Sequence, residues 1–87
     1  MTDEDNKSIL YRTSDIYFAA YLCSVDIPME TTEFDKNSTN KKVVFIFRIP
    51  GKKNLEHLKA GFFGGSATVQ AMKFVQAIRS LKSLCFI

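Results

Sequence analysis

The chain has 87 residues, 46% of them hydrophobic, with a mean hydropathy of -0.04, which is enough for one small core and too little for two. This composition excludes wholesale disorder, and no apolar run approaches the roughly 18 residues that a membrane-spanning helix needs. Net charge is +3, but residues 1–35 carry eight acids and two bases (Lys7 and Arg12), whereas residues 36–87 carry ten bases and one acid, Glu56.

Met1–Asn6 reads as a mobile acidic lead ahead of a single domain over residues 7–87. Its polarity is the opposite of a signal peptide, so the expected location is cytoplasmic. Lys7–Arg12 alternates as a short strand, with Leu10 and Arg12 opposite Ile9 and Tyr11. Thr13 or Ser14 can cap the helix that follows, with Asp15 in its first turn. Ile16, Ala19, Ala20 and Cys23 form one stripe and Phe18, Leu22 and Val25 the next, so this helix is apolar over most of its circumference and central. It ends near Ser24, before the turn at Pro28.

Met29–Phe34 has the mixed faces of an edge strand, and the polar turn Asp35–Asn40 closes a hairpin onto Lys41–Gly51. That last stretch organises the chain. Val43, Phe45, Phe47 and Ile49 point one way, Val44 and Ile46 the other, until Arg48 breaks the second row. Asn54 caps a short helix lined by Leu55, Leu58 and Phe62, which Gly64-Gly65 stops. A last helix opens at Ser66 or Thr68 and runs to about Ser83, with Ala71, Phe74, Val75, Ile78, Leu81 and Cys85 as its buried stripe. The order β-α-β-β-α-α predicts an α+β fold, a small antiparallel sheet with helices packed on it. The apolar LCFI end either docks back on the core or makes a homo-oligomer contact.

Catalysis finds little support. His57 is the only histidine and lies between Leu55 and Leu58, with no nucleophile or acid signalled beside it. Cys23 and Cys85 lack ligand spacing and read as two thiols acting as small hydrophobes, with a bridge or a reactive thiol as the alternatives. Glu30, Glu33 and Asp35 could gather round a divalent ion, but on a regular strand Glu30 and Glu33 face opposite sides. Gly64-Gly65-Ser66 lacks the pattern of a phosphate loop. No cofactor, no metal and no enzymatic activity are expected.

The basic half carries the candidate binding residues: Lys41, Lys42, Arg48, Lys52 and Lys53 around the central strand, and Lys73, Arg79 and Lys82 on the last helix. Phe45-x-Phe47 has the spacing of a base-stacking pair, although core packing accounts for it better. Lys82 falls inside the apolar arc between Val75 and Ile78, so its stem should snorkel past the core or its ammonium meet an anion.

Tyr11–Asp15 with Tyr17 and Ala19–Leu22, then Val43–Phe47, and finally Phe74, Ile78-Arg79 and Leu81–Leu84 are the residues on which the layout resembles a small uncharacterised domain of bacteriophage and bacterial genomes. The resemblance covers residues 9–85 and implies a phage-type context, in the host cytoplasm, without assigning any functional residue. The first functional expectation is an accessory protein associated with single-stranded nucleic acid through its basic half. The alternatives are a protein-interaction module, such as an inhibitor or adaptor, and a structural virion component.

Overall fold

Strand β3 (Val43–Pro50) is the middle of a three-stranded antiparallel sheet, with β1 (Ser8–Thr13) on one side and β2 (Met29–Phe34) on the other. The computed structural model describes residues 8–34, 42–51 and 53–85, and its helices are α1 (Ile16–Ser24), α2 (Leu55–Phe63) and α3 (Ala71–Cys85). Element order and fold class are those expected, an α+β fold with helices packed on the sheet. The predicted lead at Met1–Asn6 and turn at Asp35–Asn40 lie outside the described residues, as do Lys41, Lys52, Phe86 and Ile87.

The alternation in β3 decides the layering. Val43, Phe45, Phe47 and Ile49 are buried on the face the helices cover, joined by Phe18 to Leu22 of α1, Ile27 and Leu81 of α3. Helix α1 is buried along its middle because α3 packs along it while the sheet lies beneath. Phe18 is the hub of an aromatic cluster: the Tyr11, Tyr21, Phe62 and Phe63 rings have centroids 5.2–6.1 Å from its own. Helix α2 buries no residue fully, and Phe62 and Phe63, with the Lys59 ammonium 5.3 Å from the Tyr11 ring centre, hold it against α1 and β1.

Three local expectations change. The cap of α1 is Asp15 itself: its carboxylate accepts from the Tyr17 and Phe18 N–H groups at 2.9 and 3.2 Å, while the Thr13 hydroxyl accepts from the Asp15 N–H at 3.1 Å. Helix α3 starts at Ala71 rather than Ser66 or Thr68. The Ser66 and Ala67 N–H groups donate to the Gly61 carbonyl, which ties this stretch to the end of α2, and Ala67 and Val69 pack on the core from an irregular segment. The contact stripe of α3 is Phe74, Ala77, Ile78, Leu81, Leu84 and Cys85, so Ala71 and Val75 lie outside it.

At the start of α2, Asn54 caps as expected, accepting from the His57 N–H at 3.2 Å. Gly65 has φ +82°, and a Cβ on Gly64 would lie 2.6 Å from the Ala60 carbonyl oxygen, so the stop at the helix's other end requires both glycines. No helix among the described residues is long and apolar enough to cross a membrane.

Candidate interaction surface

Among the described residues no helix lies over the second face of β3, yet Ile46 is only 5% exposed. Its cover is polar. Register pairs Arg12 with Ile46 and Leu10 with Arg48 on β1, and Glu33 with Val44 and Thr31 with Ile46 on β2, so these residues share one face. Arg12 Nη2 meets Glu33 Oε1 at 3.0 Å although β3 runs between their strands, so the pair crosses above the central strand. Arg48 reaches both ways, donating from Nε to Glu30 and from Nη1 to the Ser8 hydroxyl at 3.0 Å.

The sequence pattern places Glu30 and Glu33 on opposite faces, and the structure corrects this. A bulge between Met29 and Thr31 adds a residue against β3 and brings Glu30 to the face of Arg48. Each acid is then taken by an arginine, and no group of three or more His, Cys, Asp or Glu side chains gathers as a metal site among the described residues.

Those of the predicted binding residues that are described do not converge. Arg48 is occupied by Glu30 and Ser8, which removes it from the set of free cations. Lys42 lies at the end of the sheet, in a shallow groove of about 500 Å³ that Arg12, Thr13, Ser14, Glu33 and Phe34 also line. Lys53 precedes α2, its N–H donating to the Pro50 carbonyl at 2.9 Å. Phe45 and Phe47, the prospective stacking pair, are in the core at 1% and 0% exposure, so bases have no aromatic platform on this strand.

The remaining three cations are on α3. At 100° per residue, Lys73 is on the side away from Arg79 and Lys82. Lys82 is exposed: α3 turns Phe74, Ala77, Ile78, Leu81, Leu84 and Cys85 to the core and the Val75–Lys82 flank to solvent. That flank reads Met72, Val75, Arg79, Lys82, spaced i, i+3, i+7 and i+10, over about 15 Å of helix. Met72 is 59% exposed and Val75 38%. Among the described residues, neither Arg79 nor Lys82 has a carboxylate within 4.0 Å. The sequence held the signal for this flank, but it merges with the core stripe until the helix's rotation is known.

His57 is exposed, with its backbone N–H used by the Asn54 cap. Cys23 and Cys85 are free thiols, both half-buried beside the core, and burial pushes the Cys23 thiol up from its ordinary range. Leu84 and Cys85 dock on the core, which takes the first half of the apolar LCFI end away from any oligomer contact. Comparison with protein-family models, with curated proteins and with solved structures finds no match to this chain.

Proposed function

We propose that the protein is a small non-enzymatic interaction module, of the phage-type accessory kind, that docks on an acidic protein surface through the exposed flank of α3. The observation that carries this reading is the composition of the flank: two exposed aliphatic side chains, Met72 and Val75, followed one and two turns on by Arg79 and Lys82, neither of these cations paired with an acid among the described residues. An apolar patch continued along the same helix face by unpaired charge is a pattern by which a helix meets a partner. Met72 and Val75 gain nothing from a phosphate backbone, whereas against a protein they lose contact with water. The cations supply encounter rate and orientation more than affinity.

Nucleic-acid association is the second reading. Residues 53–85 hold five bases, Lys53, Lys59, Lys73, Arg79 and Lys82, against the single acid Glu56, while the sheet's arginines are paired. Such a surface would bind phosphates without reading bases.

One experiment separates the two. A photo-crosslinking residue at Val75 is used in nuclease-treated extract, beside anisotropy of labelled single-stranded and duplex oligonucleotides at low and physiological salt. The protein reading expects a discrete adduct that survives nuclease and is lost on Met72→Glu or Arg79→Glu. Oligonucleotide binding that falls steeply with salt, with no surviving adduct, replaces it with the nucleic-acid reading.

A further inference from the structure

We propose that two copies of the chain pair antiparallel through the outer edge of β1, with Leu10 opposite Leu10, and so join two three-stranded sheets into one. Among the described residues no strand pairs with that edge. Exposed edges template pairing with other chains, and folded proteins commonly blunt them with bulges, charges or proline. The two edges here differ in this respect. Strand β2 carries the bulge at Glu30 and two glutamates. Strand β1, Ser-Ile-Leu-Tyr-Arg-Thr, runs six residues in unbroken register with no proline, no acid and no bulge. Its one charge, Arg12, is directed inward over β3 to Glu33.

The side chains identify the partner as a second copy. Ile9 and Leu10 are 53% and 57% exposed, one on each face of the sheet. A two-fold axis normal to the sheet keeps each face continuous across the join, so it pairs only residues of like parity. Centred on Leu10, it sets Leu10 against Leu10 on the open face, Ile9 against Tyr11 on the helix face and Ser8 against Arg12. Both exposed aliphatics then meet apolar partners and no charges oppose. Centring on Tyr11 instead sets Leu10 against Arg12 and Ile9 against Thr13, and centring on Arg12 opposes two guanidinium groups. Pattern matching of this kind is what fixes strand register. The interface is a strand's width, at the small end of specific contacts, so the dimer is expected to be weak and concentration-dependent.

The test is sedimentation equilibrium of the full chain over a concentration series up to about 1 mM, with Leu10→Lys beside the wild type and circular dichroism to confirm the fold. The expected result is a concentration-dependent dimer whose dissociation constant rises at least tenfold in Leu10→Lys. Register is read separately in a Cys23→Ala, Cys85→Ala background. Leu10→Cys should form a disulfide dimer under mild oxidation faster than Thr13→Cys, since pairing about Leu10 puts the two introduced thiols face to face. A monomer at every concentration overturns the proposal and leaves the edge to a different chain. A dimer indifferent to Leu10→Lys, or one crosslinked equally well at Thr13→Cys, overturns it too. The outcome is independent of the α3 flank, where substitutions leave β1 untouched.

Discussion

Replacing Arg12 tests how a buried isoleucine survives on a face that no helix covers among the described residues. Ile46 is almost fully buried beneath side chains that are themselves exposed, Arg12 at 66% and Glu33 at 48%. Strands β1 and β2 stand two spacings apart, roughly 9.6 Å, so the Arg12–Glu33 pair must lie across β3, with the arginine's methylenes above Ile46. Arg12→Ala removes two things. An exposed ion pair is worth about 0.2–1 kcal/mol. Uncovering about a third of an isoleucine, at 1.5–3 kcal/mol for full burial, costs about 0.5–1 kcal/mol more. The sum, about 1–2 kcal/mol, lowers Tm by roughly 4–16 °C in a domain this small. Glu33→Gln and Arg12→Met lose the ion pair and keep most of the cover, so each should cost only about 0.2–1 kcal/mol. The assay is thermal unfolding of all three variants at low salt and in 1 M NaCl, where the Debye length is about 3 Å. The deficit of Arg12→Ala should persist in high salt while that of Glu33→Gln disappears. Equal deficits that both vanish with salt would refute the covering role and leave a Coulombic pair only.

Phe45→Ala, emptying a core site on the central strand, should cost about 3–5 kcal/mol and leave the chain largely unfolded at 37 °C, as read by circular dichroism. A folded variant of unchanged stability would place the ring outside the core. Asp15→Ala should cost about 0.5–2 kcal/mol in denaturant unfolding by stranding the Tyr17 and Phe18 N–H groups, and Ser14→Ala much less. The reverse order would make Ser14 the cap. Because the folded state raises the Cys23 pKa, the stability this confers is full below the unfolded-state value of about 8.5 and is lost as pH rises through the folded one. Cys23→Ala should therefore flatten the alkaline limb of the stability–pH curve, and an unaltered limb would assign that slope to other groups.

What was legible in the sequence is what depends on periodicity. The doubly apolar run Val43–Ile49 can only be a central strand, and the apolar circumference of Ile16–Ser24 can only be a buried helix. What was not legible depends on particular contacts that periodicity does not encode. Thr13, Ser14 and Asp15 are all competent caps, and the choice among them fell to the residue whose carboxylate reaches the Tyr17 and Phe18 N–H groups. The bulge at Glu30 leaves no mark on a two-residue period, so neither the common face of Glu30 and Glu33 nor the occupation of Arg48 could be read. Lys82 sits at the border of its helix's apolar arc, and only the packing of α3 against α1 tells which border is wet.

Part of the charge imbalance along the chain is settled on the open sheet face. Glu30 and Glu33 are engaged on the open sheet face by Arg48 and Arg12, one of which comes from the basic half. The cations of α2 and α3 stand on the other side of the molecule with Glu56 as their only acidic neighbour in sequence. The pairing proposed at β1 extends this argument. A two-fold axis normal to the sheet keeps both helical layers, and with them both copies of α3, on one side of the joined sheet. Two weak flanks acting together bind more tightly than either alone, by a factor set by their effective concentration rather than by any new contact. An edge contact too small for a permanent dimer can therefore still matter, because an acidic partner that engages both flanks stabilises the pair it binds.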